Sequence, residues 1–354
     1  MKRLLLIAAA VFCLSLAALP AGAEELRLLT WNGYAPAELV AKFEKETGHR
    51  VVITYSNNED MIARLTASRG GGFDLAQPSQ DRVIVGLQAG GIYRALDYGR
   101  IDEGRIIPAL LEAVQTNTEL DGEIYGVPFG WGVSGLVVNS KQAPKVTGFA
   151  ALFDPAYKGR ISYRLKRPVI IAAAFALGYD PFALYDDPPG YAEMLAVVTD
   201  KLMAGKDLVN NYWSTTTSLL AAMRDQEVYV AEGWDSAGFR LHAENPDIDF
   251  VPPDSGALGW IDTFAIPAKA KNLQAAYDWI NFMLRPENAA VVTNTMYMAT
   301  ASQGAMTLAQ PRIKADFDRC LPPAVIENIK WYPPLPAELE AMEAKALEKV
   351  RNAR

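Results

Sequence analysis

The chain has 354 residues, half of them apolar and 21% charged, with 41 acidic against 34 basic side chains. That balance belongs to a folded globular protein, too long for a single hydrophobic core and therefore expected in two lobes, and it excludes a disordered chain. The acidic excess also argues against nucleic acid as a partner.

Lys2 and Arg3 precede an apolar run, residues 4–19, and a small-x-small stretch, Ala21-Gly22-Ala23. This is the layout of a signal peptide cleaved after Ala23, and residues 1–23 are set aside from fold reasoning. Phe12 before Cys13 does not suit lipid attachment. Loss of the two basic residues moves the formal charge from −7 to −9. Only Cys320 then remains, so no intramolecular disulfide is expected despite export. No later segment holds the roughly 18 unbroken apolar residues of a membrane span.

The mature chain opens with an expected strand, Leu26–Thr30, which stops at Trp31-Asn32-Gly33-Tyr34 before Pro36 begins a helix near 36–47. Gly48 caps that helix ahead of a strand at Val51–Tyr55, a second helix spans about 58–68, and "FDLAQPS" holds a short strand before a helix near 81–90. The order β-α-β-α-β predicts a mainly parallel sheet with helices on its faces. Ligands in such sheets sit beyond the carboxyl ends of the strands, which directs Trp31, Tyr34 and the loop Pro78-Ser79-Gln80-Asp81 to one crevice. The stretch 124–141, with five glycines or prolines around Trp131, reads as a connection between lobes whose glycines permit unusual backbone angles. A second α/β region follows, with a strand at 160–166, a helix from Pro168, helices near 189–204 and 217–225, and a strand at 228–234. The segment 260–267 returns to the first lobe, helices follow at 272–284 and 286–294, and an amphipathic helix ends the chain.

His49 and His242 are the only histidines, both expected at the surface, and with one mature Cys they cannot form a typical zinc site. No nucleophile elbow, Walker loop or H-E-x-x-H motif is present. The informative features are acids beside aromatics: Trp234-Asp235 at a strand end, Trp260-Ile261-Asp262 where the chain returns, and Asp81 in the crevice loop. An aspartate flanked by indole faces holds an ammonium group through a charge-assisted hydrogen bond and cation–π contact.

The successive blocks "TWNGY", "FEKETGHRV", "FDLAQPS", "YGVPFGWGVSGLVVN", "PAYKGRIS", "EGWDSAGF", "WIDTFAIPAKAKN" and "WINFMLRPENAA" resemble, in order and spacing, those of the periplasmic spermidine/putrescine-binding proteins of ABC importers. The resemblance covers the mature chain. It implies an α/β, periplasmic binding protein-like type II fold: lobe 1 from 24–134 plus 264–305, lobe 2 from 135–263 plus 306–354, joined by a hinge and closing on one small molecule. It also implies that Trp31 and Tyr34 sandwich a polyamine chain, that Asn32 and Ser79 give polar contacts, that Trp234 and Trp260 complete an aromatic box, that Asp262 grips an amine, and that Tyr297 is a late aromatic contact; the acids read beside aromatics add Asp235 or Asp81 as helpers to Asp262. Asp81 stands where the spermidine binders usually carry an aromatic.

The sequence departs from that family after "KGRIS", where an acidic stretch is replaced by "YRLKRPVII". Alternation along the expected strand puts Arg164 and Lys166 on one face, and Pro168 opens a helix whose N-terminus favours an anion. Arg164 or Arg167 facing the cleft would suit a ligand with an amine at one end and an acid at the other, such as an ω-amino acid, an opine or an aminophosphonate. The expected function is therefore capture of a polyamine or related amine for an ABC permease and ATPase complex at the inner membrane, by a periplasmic monomer with no cofactor and no metal. The alternatives are the amine-plus-acid ligand, ferric ion or a thiamine-like cation, and, in another class, a secreted enzyme on the same scaffold.

Overall fold

The structure is a computed structural model describing residues 24–353. The expected signal peptide, Cys13 and the cleavage after Ala23 lie outside the described residues. The first lobe is built on a parallel sheet in which Glu25–Thr30 runs between Arg50–Tyr55 and Leu75–Ala76. Side chains alternate across its central strand. Leu26 and Leu28 enter a core with Phe43 and Trp279, while Leu29 enters one with Met61, Leu65 and Val83. Both faces are thus covered by helices, as parallel sheets require. The first helix runs Ala37–Thr47, with Pro36 just outside it and Gly48 closing it in the left-handed conformation at φ 78°.

A thirteen-residue strand, Val127–Asn139, carries the chain from this lobe into the next. It pairs antiparallel with Leu258–Phe264, Val230–Trp234 and Ile248–Val251. Its Phe129 packs into the first core with Ile261 and Phe264, and its Leu136 and Val138 into the second with Ile161 and Ile170. The glycines of this stretch serve a different purpose from the one expected. Gly130, Gly132 and Gly135 do not adopt positive φ. A Cβ at Gly132 would stand 2.5 Å from the Trp260 ring, one at Gly135 would stand 2.7 Å from Phe250, and one at Gly130 would collide with Met298. The strand lacks side chains there because large neighbours lie across it.

In the second lobe the strand expected at 160–166 is shorter, Ile161–Tyr163. Helix Arg167–Ala176 starts almost at once, with Pro168 in its first turn. Residues 164–166 are therefore a turn, and the alternation expected for Arg164 and Lys166 does not apply. Helix Pro188–Ala204 packs against the last helix, Ala337–Asn352, burying Tyr191, Met194, Leu339 and Val350. Elements not anticipated include helices Pro108–Asn117, Asp235–Glu244 and Pro311–Cys320. His49 is buried, not exposed: its ring accepts from the Glu24 backbone N–H at 2.9 Å and meets Asp278 at 3.0 Å. His242 is half-buried against the Ile248 carbonyl at 3.0 Å. Among the described residues no helix is long and apolar enough to cross a membrane.

Candidate functional site

The turn after Glu25–Thr30 is fixed from several sides. Gly33 sits at φ 95°, which L side chains rarely adopt, and Met296 occupies the space its Cβ would need. The Tyr34 backbone N–H donates to the Trp31 carbonyl at 3.2 Å. The Trp31 indole N–H donates to the Gln77 carbonyl at 2.9 Å, holding the ring against the neighbouring strand end. The loop after that strand lies beside Leu258–Phe264, with the Thr263 N–H donating to the Pro78 carbonyl at 2.8 Å and Ser79 bridged to Asp262.

These contacts bring Asp262 to the centre of the cleft. Its carboxylate is 4% exposed. It accepts from the Ser79 hydroxyl at 2.6 Å and from the Tyr34 hydroxyl. Burial pushes its carboxyl up to about 6, the two hydrogen bonds oppose that, and the charge on Asp81 adds to it. Burial, with Asp262 beside it, raises Tyr34 well above the usual phenol range. The phenol therefore stays a donor.

Asp262 opens onto a cavity of about 160 Å³. Seven residues singled out from the sequence line it: Trp31, Asn32, Tyr34, Ser79, Trp234, Trp260 and Asp262. Thr216, Ser236, Met296 and Met298 complete the lining and were not anticipated. Asp262 is the one carboxylate of that lining, surrounded by indole, phenol and thioether groups. Such a pocket strips water from a cation and returns an acceptor pair and aromatic faces.

The remaining predicted residues lie elsewhere. Asp235 is fully buried behind the wall and accepts from the Ser236 and Val133 N–H groups at 2.8 and 3.4 Å. Burial pushes it up to about 7. Arg164 does not face the cavity. It bonds Glu232 at 2.8 Å, and its guanidinium lies 4.3 Å from the Trp234 ring centre and 4.7 Å from that of Trp213. It props Trp234 from behind. Asp81 and Arg167 line an adjoining compartment of about 100 Å³ that shares Ser79 and Trp260 with the first. There they pair with each other at 2.7 Å. Tyr297 is outside the cleft, with the Arg240 and Arg312 guanidinium groups each 5.2 Å from its ring centre. Its neighbours Met296 and Met298 face inward instead, because helix Pro286–Met296 ends at Tyr297 in a left-handed turn with φ 60°.

The family description "Bacterial extracellular solute-binding protein" matches residues 38–317. The "Spermidine/putrescine-binding periplasmic protein" of Escherichia coli (strain K12) is 30% identical over 317 residues, 86% of each chain. The "Putrescine/cadaverine-binding protein" of Pseudomonas aeruginosa is 28% identical, covering 99% of this chain and 98% of its own. A solved structure described as a putative spermidine/putrescine ABC transporter from Listeria monocytogenes aligns with a TM-score of 0.80 at 27% identity, covering 93% of this chain and 99% of that one.

Proposed function

The chain belongs to the bacterial extracellular solute-binding proteins, and from that premise we propose that it captures a small amine, a polyamine such as putrescine or spermidine or a related compound, in the periplasm for a cognate ABC permease and ATPase complex. The observation that carries this reading is Asp262, a buried carboxylate held by Ser79 and Tyr34 at the floor of an aromatic cavity. One ammonium would replace the water lost from that carboxylate, and Trp31, Trp234 and Trp260 would cover the carbon chain. The lobes would close on the cargo, and its binding energy would stabilise the closed form that the membrane subunits recognise. The relatives are named as binding proteins, which supports binding and release over turnover.

Support for an amine over an amine-plus-acid ligand comes from the arginines. Arg164 is committed to Glu232, and Arg167 to Asp81.

The reading is tested by calorimetry of the purified mature chain against putrescine, cadaverine, spermidine, simple alkylamines, ω-amino acids and aminophosphonates. At least one amine is expected to bind with saturation and to raise the unfolding temperature. Absence of binding by every amine in the panel would sink it.

A further inference from the structure

The two compartments of the cleft meet across Ser79 and Trp260 and differ in charge. The first exposes one acid, Asp262, to an aromatic cavity. The second exposes two acids, Glu59 and Asp81, and each already holds a basic side chain from the other lobe. Lys166 reaches Glu59 at 3.2 Å, and Arg167 reaches Asp81 at 2.7 Å. The third cation on that wall, Arg82, is bound to Glu340 at 2.5 Å, and its Nε lies 3.4 Å from Asp81. The second compartment therefore has no uncommitted carboxylate to offer a ligand.

Arg167 is the residue that fixes this arrangement. It is 6% exposed. One nitrogen bonds Asp81, another bonds the Tyr185 hydroxyl, the third lies 3.6 Å from Glu343, and the group stands 5.0 Å from the Tyr332 ring centre. A guanidinium so enclosed cannot swing away without leaving a buried charge unpaired, which is strongly unfavourable.

We infer that Arg167 fills, from within the protein, the place that a second ammonium of the cargo would take, making it a specificity-determining residue that selects amines with one ammonium and a neutral remainder. This rests on the reading of Asp262 as the ammonium anchor and narrows it. A second ammonium passing Trp260 would meet Arg82, Lys166 and Arg167, or would have to displace Arg167 from Asp81. A carboxylate there would compete with Asp81, Tyr185 and Glu343 for the one guanidinium. A neutral tail meets neither obstacle, and the indole and Met side chains of the first compartment suit it.

The test is isothermal titration of the mature chain at pH 8 with three probes of matched length: 1-butylamine, putrescine and 4-aminobutanoate. The wild-type protein is expected to bind butylamine at least tenfold more tightly than either other probe. In Arg167→Met, which leaves Asp81 only its longer 3.4 Å contact with Arg82, putrescine is expected to gain at least tenfold relative to butylamine. Putrescine equal to or tighter than butylamine on the wild-type protein would overturn the inference while leaving the amine reading intact. 4-Aminobutanoate as the tightest probe would overturn it in favour of Arg167 as an anion receptor. Failure of all three to bind, along with the wider amine panel, would remove the reading beneath it. The wild-type comparison does not depend on the variant folding.

Discussion

Replacing Asp262 by Asn should weaken amine binding and at the same time stabilise the ligand-free protein, and the two effects have one cause. Burial holds the carboxyl at about 6 against an ordinary 3.8, roughly 2 pKa units. At 1.36 kcal/mol per unit, ionisation of this buried group costs the empty fold about 3 kcal/mol at neutral pH. Because the folded value is the higher one, the native state is favoured below the unfolded value near 4, and that advantage is lost as the pH rises through about 6. Asn has no charge to desolvate. Its carbonyl still accepts one of the two hydroxyl donors, and leaving the other unpaired costs about 1 kcal/mol. A net gain of about 1–2 kcal/mol at pH 8 is expected, seen as a rise in unfolding temperature without ligand that disappears at pH 4. Amine affinity should fall by at least about 2 kcal/mol, roughly thirtyfold, since the ammonium loses a buried charged partner. A variant that melts below the wild type at pH 8 and still binds amines would refute both halves.

Other consequences can be measured directly. Amine affinity should weaken about tenfold per pH unit below 6, because the ammonium needs the ionised carboxylate. A flat dissociation constant from pH 8 to 5 by calorimetry would contradict this. Gly132→Ala would place a methyl 2.5 Å from the Trp260 ring and 3.1 Å from Asp235, so it should cost about 1–3 kcal/mol of stability in denaturant titration and weaken ligand-induced tryptophan fluorescence changes. Unchanged stability would mean that the strand and ring separate freely. Glu232→Gln would leave the Arg164 guanidinium without its charge partner behind Trp234 and should destabilise by about 3 kcal/mol or more. Replacing both Arg164 and Glu232 with Met should restore most of that loss, and a silent single substitution would dismiss the pair's role.

The first lobe was readable from the sequence because its signals are local. Alternating leucines, a capping glycine at 48 and an Asn-Gly turn at a strand end each dictate conformation within a few residues. The acid between aromatics at Trp260–Asp262 was equally visible, since an unpaired Asp in an apolar strand demands partners. What failed depended on distant contacts. His49 reads as a surface turn residue, yet Glu24 and Asp278 enclose it. Arg164 and Arg167 read as free cations, and their partners, Glu232, Asp81 and Glu343, lie on elements far along the chain. Tyr297 was displaced by a single left-handed residue, which turned it outward and left Met296 and Met298 in the cavity. Thr216 and Ser236 carry no pattern separating them from ordinary helix-start residues. The glycines of Val127–Asn139 read as sites of unusual backbone angles, although their role is to leave room for side chains crossing from neighbouring elements.

The most direct test of the amine site is a crystal structure of the mature chain saturated with the tightest amine of the panel. The expected result is an ammonium nitrogen about 2.7–2.9 Å from the Asp262 carboxylate, with the carbon chain among Trp31, Trp234 and Trp260. Ligand density that leaves Asp262 bonded only to Ser79 and Tyr34, or that places an acidic group at this end of the cleft, would contradict it.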